Sequence, residues 1–130
     1  MEYNSDFRYD LKRGQKAEKW LGGLLEADTL EVKRDFIAHK TKRVFVEYEC
    51  NGKPSGIRTT EADWWGFVLD DSAVMISTEK LTLLVNDAIA QKRYRRGGDG
   101  NKSLGALVRL QDLVEYRYTP PTTTEESSDE

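Results

Sequence analysis

The residues best equipped for chemistry in this 130-residue chain are carboxylates set among strand-forming residues. Over Arg43–Cys50 the side chains alternate: Val44, Val46, Tyr48 and Cys50 share one face, and Phe45, Glu47 and Glu49 the other. Residues 29–36 alternate too, with Leu30 and Val32 on one face and Glu31, Lys33 and Asp35 on the other. The polar link Ala38-His39-Lys40-Thr41-Lys42 joins the two runs, which is a β-hairpin signature. In an antiparallel hairpin the end of one strand lies beside the middle of the next, so Asp35, Glu47 and Glu49 could meet. Three close carboxylates repel, and a divalent cation removes that penalty. An all-oxygen ligand set suits Mg2+ or Mn2+ and not zinc. Such a cation generates hydroxide and stabilises the transition state of phosphodiester hydrolysis. The same residues also read as the solvated face of an edge strand, with acid–base pairs across the hairpin.

Other chemistries find little support. A nucleophile–histidine pair would have to use His39, the single histidine, in a lysine-rich link. The stretch Gly97-Gly98-Asp99-Gly100 lacks the Lys-Ser/Thr ending of a phosphate loop and reads as a surface loop or a nucleic-acid contact. Cys50, the single cysteine, excludes an intramolecular disulfide and is expected to pack inward with Val46 and Tyr48. Trp64 and Trp65 read as sheet-packing residues before base-stacking platforms.

The elements that must hold these residues form an α+β pattern. Ala17, Trp20, Leu21, Leu24 and Leu25 recur at helical spacing over residues 13–27, with Glu18 at the border of the stripe. The two alternating strands follow, then a turn cluster at 51–56 and a short helix predicted from Thr59 to Asp63. Strands are predicted at 64–69 and 73–77. A helix capped by Ser77 or Thr78 runs to about Arg93, with Leu81, Leu84, Val85, Ala88 and Ile89 on one stripe. A basic, glycine-rich loop at 94–102, a strand at 104–110 and a short helix at 111–118 complete the order. Residues 1–12 read as an N-terminal arm, 13–119 as one domain, and 120–130 as a disordered acidic tail.

Charge is unevenly spread. Without the four acids of residues 122–130, 20 basic residues face 19 acidic ones. Residues 33–58 hold seven Lys/Arg against three carboxylates, and 92–109 hold six against one, so basic surface survives in a chain of net charge −3. Lys33, Lys40, Lys42, Arg43, Lys53, Ser55, Arg58, Thr60, Arg95, Arg96 and Lys102 are the candidates for gripping DNA phosphates. No apolar run is long enough for a membrane helix. No secretory pattern opens the chain, so a cytoplasmic location is expected, the host's cytoplasm if a phage encodes the chain.

The run from Gly14 to Leu69 resembles the PD-(D/E)xK nuclease superfamily, and within it small phage-encoded members. The pieces that carry the likeness are Gly14-Gln15-Lys16-Ala17-Glu18, Glu31-Val32-Lys33-Arg34-Asp35, Phe45-Val46-Glu47-Tyr48-Glu49, Gly52-Lys53-Pro54-Ser55-Gly56-Ile57, Thr59-Thr60 and Ala62-Asp63-Trp64. The resemblance implies a restriction-endonuclease-like αβββαβ core, a mixed sheet flanked by helices. It implies that Asp35 and Glu47 bind Mg2+, with Mn2+ able to substitute, and that Glu18 assists. Position 49, a lysine in the superfamily's usual motif, is glutamate here; Glu49 would then position or deprotonate the attacking water. Glu31-Val32-Lys33 is itself a Glu-x-Lys with Asp10 upstream, although Asp10 precedes the first helix instead of lying on a neighbouring strand. Lys33 is a separate candidate for the missing cation, since it shares a face with Asp35.

Together these readings describe a metal-dependent DNA endonuclease, expected to work as a homodimer because so short a chain needs a partner to span duplex DNA. The alternative is a non-catalytic DNA- or protein-binding phage regulator or inhibitor on the same fold.

Overall fold

The computed structural model describes residues 14–23, 29–35 and 37–115. The arm at 1–12, Asp10, Leu24, Leu25, Phe36, the side chain of His39 and the tail at 120–130 lie outside the described residues. Residues 14–23 are helical (α1). Then come β1 (Leu30–Arg34), α2 (Ala38–Thr41), β2 (Arg43–Cys50), β3 (Lys53–Pro54), a 3-10 turn (Gly56–Arg58), β4 (Trp64–Val68), β5 (Ala73–Ser77), α3 (Thr78–Ala90), β6 (Tyr94–Gly97), a second 3-10 turn (Asp99–Asn101), β7 (Ser103–Arg109) and α4 (Leu110–Glu115). The class is α+β, with a mixed sheet and helices.

The strands form two sheets. One has the order β1-β4-β5, with β1 parallel to β4 and β5 antiparallel to it; the other is antiparallel in the order β3-β2-β7-β6. The expected hairpin between β1 and β2 is therefore absent: β1 pairs with β4, and β2 with β3 and β7. The reason lies in the apolar pattern. Trp64–Val68 and residues 104–108 are continuous apolar runs, and such runs take central places, covered on both faces and paired on both edges. Between β1 and β2 the link is a helical turn whose Ala38 is fully buried, where a polar hairpin loop was expected.

The core joins both sheets and α3. Val44, Val46, Ala106 and Val108 from one sheet meet Trp65, Phe67 and Ile76 from the other and the stripe Leu81, Leu84, Val85 and Ala88 of α3. Burying each large side chain contributes about 1.5–3 kcal/mol. Ser77 caps α3 as expected, its side-chain oxygen accepting from the backbone N–H of Lys80.

Other expectations need correction. No helix forms at 59–63; the turn comes earlier, at Gly56–Arg58. Tyr94–Gly97 is an edge strand and not a loop, because β7 offers it a pairing edge. Trp20 and Leu21 are exposed, Trp20 to 57%, although its ring meets Trp64 edge to face at 5.5 Å. Val32 is 56% exposed, and it is the charged face of β1 that turns towards Trp65. Among the described residues no helix is long and apolar enough to cross a membrane.

Candidate functional site

Glu47 is the best-positioned carboxylate. Asn51 and Gly52, with φ of 55° and 78°, make the left-handed two-residue turn that folds β3 back on β2. The chain leaves β3 beside β2, with the Ser55 N–H donating to the Tyr48 carbonyl at 3.2 Å. The Ser55 hydroxyl then donates to Glu47 Oε2 at 2.7 Å. Ser103, the first residue of β7 and 56 positions away, donates its hydroxyl to Glu47 Oε1 at 2.8 Å. Each carboxylate oxygen has one donor and keeps a further lone-pair direction. Gly56 has a φ of 56° and lies against the Glu47 backbone so closely that a Cβ there would run into the Glu47 carbonyl.

Glu47 opens into a cavity of about 190 Å3 lined with Lys33, Phe45, Gly56 and Trp65. Lys33 comes from the other sheet. Its ammonium stands 5.6 Å from the Trp65 ring centre and 3.1 Å from Glu31 Oε2. Trp65 is 1% exposed, and its indole N–H has no hydrogen-bond partner among the described residues. Phe45 lies flat over Gly105 and Gly97, where any Cβ would crowd the ring, and the Arg95 guanidinium covers it at 5.0 Å. Glu47, Gly105 and Arg95 form one row across the sheet.

Glu49 does not join Glu47. The β2–β7 register shifts between them: Glu47 lies opposite Gly105, whereas Glu49 lies opposite Leu104. Consecutive β7 residues face opposite sides, so a bulge at Tyr48 sends Glu49 to the far face. The shared face expected from strict alternation is thereby lost. The same shift sets Cys50 opposite Ser103, off the Val46 face on which it was expected to pack. Cys50 is a half-buried free thiol.

Asp35, half-buried, follows the end of β1, and its Oδ1 accepts from the backbone N–H of Ile37 at 3.1 Å, turning the chain into α2. It does not line the Glu47 cavity. Glu18 is exposed and lies along a different hollow with Gln15, Lys16 and Lys19. Among the described residues no three His, Cys, Asp or Glu side chains stand together as a metal-holding group. The expected convergence of Glu18, Asp35, Glu47 and Glu49 is not formed there.

The phosphate-binding candidates divide between surfaces. Arg95 lies on the Glu47 face. Arg96, its neighbour on an alternating strand, lies on the face of Tyr48 with Glu49. Arg58 donates to Asn86 Oδ1 at 2.7 Å and covers Tyr48 at 5.8 Å, a packing role. Thr60 accepts from the Ala62 N–H and shapes a turn. Ser55 is committed to Glu47. Lys40, Lys42, Arg43, Lys53 and Lys102 are exposed. Sequence reasoning missed Phe45 and Trp65 as walls of the cavity and Ser103 as a partner of Glu47. The small residues Ser103 and Gly105, alternating on β7, were the only sequence sign of a recess there.

No protein-family model, curated protein or solved structure matches this chain. The chemistry of the site rests on its own residues.

Proposed function

We propose that the chain binds DNA through its phosphate backbone and hydrolyses a phosphodiester bond at the Glu47–Lys33 cavity. The observation that carries this reading is the placement on one cavity, from two sheets, of a carboxylate held by two serine hydroxyls and an ammonium resting on an indole ring.

Mg2+ is commonly held by one or two carboxylates together with substrate phosphate oxygens and water. The free lone pairs of Glu47 fit that pattern, with Mn2+ as a substitute, and the ion would arrive with substrate instead of filling a multi-carboxylate cage. When bound, it supplies Lewis-acid polarisation of a phosphoryl oxygen. Lys33 takes the part of the lysine missing at position 49: its ammonium holds a phosphate oxygen or orients water. Ser55 and Ser103 keep Glu47 in one rotamer. Arg95, beside Glu47 across Gly105, draws the strand to the cavity. A second copy of the chain would serve cleavage of both strands of a duplex.

The test is nicking of plasmid and branched DNA with Mg2+, Mn2+ or EDTA. Metal-dependent nicking that is lost in Glu47→Gln and in Lys33→Met supports the reading. Salt-sensitive binding with no cleavage in any metal favours a second reading, backbone binding without hydrolysis. The separation of Glu49 from Glu47 by the Tyr48 bulge is the observation on its side.

A further inference from the structure

A second cavity, of about 420 Å3, lies where β2 begins and β7 ends. Lys42, Arg43, Arg93 and Arg109 line it, with Leu107 and Leu110 as an apolar wall. None of these residues lines the Glu47 cavity. Arg43 and Glu47 are four residues apart on one strand, roughly 13 Å.

The four cations are held in different ways. Arg93 is fixed by its fold contacts: Nη1 donates to the Leu107 carbonyl at 2.8 Å, and Nη2 lies 3.6 Å from Asp87 Oδ2. Arg109 donates through Nε to Asp112 Oδ2 at 2.9 Å. Asp112 is 3% exposed, and its other oxygen has no partner among the described residues. Among the described residues Arg109 is thus anchored by one of its five donors, which leaves the other four for a ligand. Lys42 sits in the left-handed conformation that ends α2, with φ of 64°, and Arg43 follows it into β2. Neither makes an ion pair with a described residue. Among the described residues, two of the four charges are matched by carboxylates and two are not.

A recess with two unmatched cations and a guanidinium presenting spare donors selects a multiply charged oxyanion, for which the guanidinium fork is well shaped. The leucine wall has no role for inorganic phosphate but suits a sugar or base. A volume of this size lies within the roughly 300–1,000 Å3 of small-molecule sites. We infer that this cavity binds a nucleoside phosphate, through the phosphate on Lys42, Arg43 and Arg109 and the nucleoside on Leu107 and Leu110. A free nucleotide and a 5′-phosphorylated strand end share that chemistry. The inference does not depend on hydrolysis at Glu47.

The test is calorimetry in EDTA, where metal-dependent cleavage plays no part, on the full chain and on Lys42→Ala/Arg43→Ala. This pair has no ionic partner among the described residues, and a thermal melt checks that the variant folds. The probes are 5′-AMP, adenosine, and oligothymidylates with and without a 5′-phosphate. Expected is at least tenfold tighter binding of 5′-AMP than of adenosine, or of the phosphorylated over the unphosphorylated oligonucleotide, and at least a tenfold loss in the double variant. Preference in the AMP arm assigns a free nucleotide, and preference in the oligonucleotide arm alone assigns a strand end. Equal binding with and without phosphate in both arms overturns the inference. So does a folded double variant that binds like the parent.

Discussion

At the residue scale, Glu47 and Glu49 separate two roles that their spacing had merged. Glu47→Gln preserves an oxygen acceptor and the side-chain shape but removes the charge. It is expected to cut metal-dependent nicking by at least about 100-fold, the scale of losing one electrostatic group at a reacting centre. Glu49→Gln, on the opposite face, is expected to change the rate less than about threefold, because it leaves that electrostatic group in place. Nicking rates of the two variants side by side check this, and equal losses would contradict the bulge. Tyr48 gives a pH prediction. Burial, then Tyr94 and Glu49, raise its hydroxyl above the ordinary 10.0, while Arg58 and Arg96 pull the other way. The folded state keeps this proton where the unfolded chain releases it. Its contribution is complete below about pH 10 and is lost as pH rises through the raised value. Tyr48→Phe should therefore flatten the fall in melting temperature on the alkaline side, measured from about pH 9.5 to 11.

At the element scale, the β2–β7 pair holds the site because β7 is stripped of side chains where β2 needs room. Phe45 lies across Gly105, with Arg95 above it. Gly105→Ala forces that ring off its seat and is expected to cost about 1–3 kcal/mol, as overpacking does. Combining it with Phe45→Leu should restore part of the loss in denaturant melts; no recovery would mean that the ring is not the obstacle. Gly56→Ala meets backbone instead of a movable ring, and at positive φ. It is expected to be worse than Gly105→Ala in the same assay, with Ser55 displaced from Glu47.

At the scale of the whole molecule, a net charge of −3 conceals a face on which Arg43, Arg95 and Arg109 stand along adjoining strands in one antiparallel sheet. If these three arginines each neutralise one phosphate, the slope of log affinity against log salt should be roughly −2.7 for duplex DNA. Titrations by fluorescence anisotropy between 50 and 200 mM salt, on the order of the range where such losses are steep, measure it. Arg95→Ala should reduce the slope by about one. Arg96→Ala, on the other face, should leave it unchanged.

Local patterns in the chain determined its elements well. Alternation marked Arg43–Cys50 and the Asp70-Asp71-Ser72 turn marked the start of Ala73–Ser77, and Ser77 with the stripe Leu81, Leu84, Val85 and Ala88 marked α3, because turns, capping and periodicity are local properties. The basic clusters were legible for the same reason. Partner choice was not. That β1 joins β4 instead of β2 depends on which strands most need two covered faces, and that need is satisfied only by the assembled core. The bulge at Tyr48 is a mismatch between two strands and is written in neither alone. Ser103 reaches Glu47 across 56 positions only because β7 lies beside β2. The amino-acid order therefore determined the long strands, α3 and where charge gathers, but not β6, which becomes a strand only against the edge of β7. The tertiary packing decided which carboxylate stays in the pocket, which serines hold it and which lysine lines the same cavity, since side-chain direction follows from register and register is set by non-local pairing.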